Sequence, residues 1–133
     1  MRMRRSGRAW LVPAVVLPVV LLPIGCYTIY PRDVPGFVSG YPSGPDSGVV
    51  GETLRYEVCA IDVYGQDVCY QPDWGDTSRL VWTAPYASGL PVSFPHSYAD
   101  TGTCRVRFKA RALGKYESDW SDSIVVRIAS QSR

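Results

Sequence analysis

The residues of this chain that could do chemistry are few: one histidine, His96, and four cysteines, at positions 26, 59, 69 and 104. A histidine acting as a general base needs a nucleophile and an orienting acid gathered around it in space. Ser93, Ser97 and Asp100 are near His96 only along the chain, so no triad is expected and no catalytic residue is assigned. Cys59, Cys69 and Cys104 lack the paired close spacing of a structural zinc site, so neither a metal nor a cofactor is expected. What remains open to them is disulfide chemistry, which depends on the compartment the chain reaches.

That compartment is written at the N-terminus. Arg2, Arg4, Arg5 and Arg8 form a basic head with no acid among them, and Ala9 to Ile24 follows as sixteen uncharged residues broken by Pro13, Pro18 and Pro23. A membrane-spanning helix needs about 20 apolar residues, so residues 1–25 are expected to be an export signal. The sequence Leu22-Pro23-Ile24-Gly25-Cys26 resembles the bacterial lipobox, in which a small residue precedes a cysteine that receives a diacylglyceryl group and becomes the new N-terminus. Pro23 occupies the slot in which the lipobox usually carries leucine. On this resemblance Cys26 is the lipid anchor, the chain is exported, and it is held on a membrane surface of the cell envelope.

Removal of the basic head also changes the electrostatics. The whole chain carries 14 Lys/Arg against 12 Asp/Glu; without its first four arginines, ten face twelve and the formal charge falls from +2 to −2. No nucleic-acid partner is therefore expected. Arg105, Arg107, Lys109 and Arg111 remain as a stripe at every second residue, expected to be the solvated face of a half-buried strand.

The elements that must position these residues are β-strands. Residues 26–45 hold four prolines and three glycines and read as a tether, able to reach about 60 Å if extended in the polyproline manner. From there to residue 133 the pattern has period two. Leu54, Tyr56 and Val58 alternate with Arg55, Glu57 and Cys59; Val68, Tyr70, Pro72 and Trp74 alternate with Cys69, Gln71 and Asp73; Val106, Phe108 and Ala110 alternate with the basic stripe. Further strands are expected over 80–83, 92–98 and 124–128. Twelve glycines and eleven prolines in 133 residues supply the turns, and the class is all-β, an antiparallel sandwich of about seven strands.

The run Asp73-Trp74-Gly75-Asp76, then Trp82-Thr83, His96-Ser97-Tyr98, Thr101-Gly102-Thr103 and Glu117-Ser118-Asp119-Trp120-Ser121 resembles the PKD-type immunoglobulin-like domains of prokaryotic surface proteins, over residues 44–130. The resemblance implies an immunoglobulin-like sandwich in which the histidine is structural. The sequence departs from the family pattern at Thr77, in place of the last glycine of the turn, and at Cys104, in place of a tyrosine. Another departure is the loop Asp62 to Asp67, where two potential oxygen ligands are missing. Calcium takes six to eight oxygens, and Asp62 and Asp67 offer only part of that, so a solvated turn is expected there.

If Cys26 is acylated, three cysteines remain and one of them must stay unpaired or bridge two molecules. Cys59 with Cys69 is the pairing expected, since they flank a short loop between two strands, while Cys104 shares the inward phase of Val106 and Phe108. Loops at one end of such a sandwich would carry Tyr64, Tyr86 and Tyr116, a contact patch suited to sugar rings or protein surfaces, at the pole where the tether enters. The function expected is a non-catalytic, lipid-anchored envelope protein displaying one domain for protein interaction, adhesion or spacing. The alternative is a carbohydrate-binding module that meets an envelope polysaccharide through those tyrosines.

Overall fold

The computed structural model describes residues 36–37, 41–112 and 116–133. The expected signal segment 1–25, Cys26 and the first part of the expected tether lie outside the described residues. Eight strands appear among those described: β1 Gly36–Phe37, β2 Ser47–Val49, β3 Leu54–Val58, β4 Ala60–Ile61, β5 Val68–Asp73, β6 Val92–His96, β7 Gly102–Ala112 and β8 Ile124–Ala129. They make an immunoglobulin-like sandwich, the all-β class that the alternation implies. One sheet has the order β2-β8-β7-β5, antiparallel except where β2 runs parallel to β8; against it lie the β3-β6 pair and the short β1-β4 pair.

Period two places the core. Leu54, Tyr56 and Val58 of β3, Val68 and Tyr70 of β5, Val106, Phe108 and Ala110 of β7, and Val126 and Ile128 of β8 are buried together, each separated from the next on its strand by a side chain of the opposite phase. Tyr70 ties the two sheets, because its hydroxyl accepts the N–H of Ala60 at 2.9 Å. Phe94 fills the space between, 5.8 Å from Tyr70 and 6.0 Å from Phe108 by ring centroid.

Two expectations about the elements are corrected. Residues 80–83 are not a strand: Leu80 and Val81 are exposed, and the segment touches β5 only through Thr83 and Tyr86. The N–H of Thr83 reaches the Tyr70 carbonyl, and Tyr86 exchanges both bonds with Val68. Pro85, which has no N–H to give, stands between these two contacts and prevents a continuous ladder. The tether also ends earlier than residue 45. Gly36 and Phe37 pair with Ile61 and Ala60, Ser43 exchanges backbone bonds with Glu57, and the Asp46 carbonyl accepts the N–H of Arg127. Proline-rich chain is compatible with a sheet edge, where half the N–H groups need no partner, so composition alone does not separate tether from edge.

Strand directions define two ends. At one, β4 leads into the 62–67 loop and β5 begins. Val68 there faces both Ala112, the last residue of β7, and Tyr86. The 87–90 turn closes onto the same end, its Gly89 N–H bonded to the Ala60 carbonyl.

Candidate functional site

The Asp73-Trp74-Gly75-Asp76 turn and the His96-x-Tyr98 step meet at the end of β5. The Trp74 and His96 rings are stacked, 4.5 Å apart and within 5° of parallel, and Trp74 also packs on Tyr56 and Phe108. His96 Nε2 lies 2.7 Å from Asp76 Oδ2, while Asp76 Oδ1 accepts the Ser78 N–H at 2.9 Å. The Tyr98 hydroxyl donates to the Trp74 carbonyl at 2.9 Å. Asp73 caps its own turn through the Gly75 N–H at 3.0 Å and receives the Arg107 Nε at 2.9 Å.

This is a histidine–carboxylate pair built into a turn. Each carboxylate is engaged with a turn amide and a cation or ring N–H, an arrangement that fixes a turn. Burial pulls the Asp76 carboxyl up, but the bonds from Ser78 and His96 outweigh it and hold the group below its usual range. A depressed carboxylate contributes stability that is present above its unfolded-state pKa and is lost as pH falls through the folded value. Burial, then the Asp76 charge, pushes the Cys104 thiol up. A reactive cysteine is shifted the other way. Burial, then Cys104 and Asp46, raise Tyr56 to about 12, and burial raises Tyr98 still further.

The basic stripe is more structured than a plain solvated face. Beyond residue 121, β8 takes up the edge of β7 only as far as Val106. Along 108–112 that edge is taken instead by 116–121: Ser118 N–H bonds the Ala110 carbonyl and Ser121 N–H the Phe108 carbonyl. In return, Ser118 Oγ accepts the Ala110 N–H and Ser121 Oγ the Phe108 N–H, at 2.9 and 3.0 Å. The two serines thus stand in for a strand, and their spacing projects Trp120 over the outer face. Arg107 lies 4.4 Å and Lys109 5.2 Å from its ring, while Arg111 lies 4.2 Å from the Trp82 ring. Glu117 sits between Lys109 and Arg111 at 3.6 and 3.9 Å. The result is a ladder of half-buried tryptophans and cations packed against one another. The stripe's period was visible in the sequence; that two tryptophans from separate loops cap it was not.

Tyr64 and Tyr116 are 68% and 48% exposed and lie at the end of the sandwich that carries the 62–67 loop. Tyr86 is at the same end, half-buried, with its ring packed against Tyr70 and Phe94. The Asp62 carboxylate is buried and accepts the N–H groups of Tyr64 and Gln66, which makes it the organiser of its loop. The expected Cys59–Cys69 bridge is not formed. Both residues are out of phase with the core, and they belong to opposite sheets. Cys59, between β3 and β4, is covered by Tyr41 and Ile61, whereas Cys69 stands opposite Arg111 on the outer face of β5. Sheets pack about 10 Å apart, beyond the roughly 7 Å that a disulfide spans between Cα atoms.

A search of solved structures finds the PKD domain of an M14-like peptidase from Thermoplasmatales archaeon SCGC AB-540-F20. It is 35% identical, with a TM-score of 0.61, and the match covers 71% of this chain and 92% of that one. No family model matches the chain, and no curated protein does either.

Proposed function

Because this chain belongs to the PKD-domain family, we propose that it is a non-catalytic interaction domain, exported and held at the cell envelope through a lipid on Cys26. The observation that carries the non-catalytic reading is the engagement of its one histidine, stacked on Trp74 and paired with Asp76 as part of a turn. The anchor rests on the sequence around Cys26, and export accords with the basic head and apolar run that precede it.

The surface offered to a partner is the ladder of Trp120, Arg107, Lys109, Glu117, Arg111 and Trp82. Tryptophan and arginine dominate the energetics of protein interfaces because they bury large area at low entropic cost when already held in place. Sugar recognition through the loop tyrosines is less well supported, since half-buried Tyr86 packs against the core and Arg111 covers one face of Trp82.

Labelled domain spanning residues 36–133 is expected to bind envelopes of its own host saturably, to be displaced by excess unlabelled domain, and to release no product. Binding should be lost after protease treatment of the envelopes and should fall at least tenfold, about 1.4 kcal/mol, in the Trp82→Ala, Trp120→Ala double variant. Retention that survives protease and ignores both tryptophans would replace this reading with the polysaccharide one. No saturable retention would end it.

A further inference from the structure

The end of the sandwich bearing the 62–67 loop has a second property that the ladder does not share. Val63 and Tyr64 from that loop, Leu90 from the turn before β6 and Tyr116 beyond β7 are 41%, 68%, 50% and 48% exposed. These are four of the seven large hydrophobic residues that are exposed among those described. Hydrogen bonds hold the loops together: Asp62 N–H to Ser88 Oγ at 2.9 Å, Gly89 N–H to the Ala60 carbonyl at 2.9 Å, and Ala112 N–H to the Tyr116 carbonyl at 3.3 Å. Asp62 turns its carboxylate inward onto its own loop, leaving Asp67 as that loop's exposed acid.

The chain enters at this same end. β1 is antiparallel to β4, with Gly36 opposite Ile61 and Phe37 opposite Ala60, so Gly36 is the end of β1 nearer Asp62 and the pole. Cys26 precedes Gly36 by ten positions, which at about 3.3–3.6 Å per residue reach no more than about 35 Å. That is no longer than the eleven-residue β7, at a similar rise per residue. Among the described residues, this end thus carries Val63, Tyr64, Leu90 and Tyr116 with Asp67 and Glu117 as its exposed acids, and a short connection separates it from the cysteine that would be held in lipid. Tyrosine and leucine side chains at such a place suit the boundary between headgroups and acyl chains.

We infer that the Val63, Tyr64, Leu90 and Tyr116 pole docks on the surface of the membrane that holds the N-terminus, so that the domain stands on the bilayer by this end and the tryptophan–arginine ladder faces sideways. The inference rests on the anchored reading above. With apolar contacts in the lead, docking is expected on phosphatidylcholine vesicles as well as on vesicles containing phosphatidylglycerol, with little dependence on salt.

The test uses the full chain isolated from its host and reconstituted into phosphatidylcholine vesicles. Flotation reports whether the chain is anchored, and hydrogen exchange reports whether the pole is docked. The amides of 63–67 and 87–90 are expected to exchange several-fold more slowly than in a Tyr64→Asp, Leu90→Asp variant that still floats. The opposite end, around Gly51 and Thr101, is expected to exchange alike in both. A chain that does not float overturns the anchor. A chain that floats with equal exchange at the pole in both proteins overturns the docking while leaving the anchor in place.

Discussion

Replacing Trp74 with alanine is expected to destabilise the domain by about 3 kcal/mol, near the lower end of the range for large aromatic truncations because the ring is half-buried. The cost does not come from one contact. Trp74 stacks on His96 at 4.5 Å, meets Phe108 edge-on at 5.6 Å and tilts against Tyr56 at 5.8 Å, so its loss opens a void shared by both sheets and uncovers the His96–Asp76 pair. Trp74→Phe should cost less than half as much, since it retains a ring facing Phe108. Denaturant midpoints at constant slope measure both. An alanine variant less than about 1 kcal/mol weaker would mean that the Trp74 contacts with His96, Phe108 and Tyr56 do not hold the sheets together.

Gly75→Ala is expected to be at least as severe as a truncation in the core, about 3 kcal/mol, for two reasons that add. Its φ of +74° is in the left-handed region, which costs a side-chain-bearing residue about 1–2 kcal/mol. An added Cβ would also lie 2.5 Å from the Arg105 backbone nitrogen and 2.6 Å from its carbonyl oxygen. Those atoms belong to β7, where Arg105 is paired with Val125 of β8, so they cannot withdraw without disturbing the sheet. Gly65 separates the two effects. It has φ of +70°, and an added Cβ would meet nothing within 4 Å, so Gly65→Ala should show only the backbone cost, about 1 kcal/mol. Equal effects at the two glycines, measured by the same unfolding curves, would mean that the approach of the turn to β7 does not matter.

The sandwich itself was legible in the residues. Alternation across 54–58, 68–70 and 106–110 picks out the core residues Tyr56, Tyr70 and Phe108, although Cys59 and Cys69, of the opposite phase, are buried as well. The aspartate-tryptophan-glycine-aspartate turn and the histidine step carried the family resemblance in the sequence alone. Less legible were the features that depend on pairing across long sequence separations. Nothing in Ser118 and Ser121 taken alone says that their hydroxyls will replace strand partners along β7, and without that docking the position of Trp120 over Arg107 and Lys109 cannot be read. The cysteine pairing was hidden for a related reason. Closeness along the chain favoured Cys59 with Cys69, but their phase turns them away from each other on opposite sheets, and phase outweighs loop length. The inward rotation of Tyr86 likewise follows from a bridge to Val68 that composition does not announce.

The lipid proposed on Cys26 would hold this PKD sandwich at a membrane surface, and the intact mass of the chain recovered from its own host tests that anchor most directly. The prediction is a mature protein that begins at Cys26 and carries a diacylglyceryl group in thioether linkage on that cysteine. A chain that keeps residues 1–25, or one that begins elsewhere with Cys26 removed or unmodified, would contradict it.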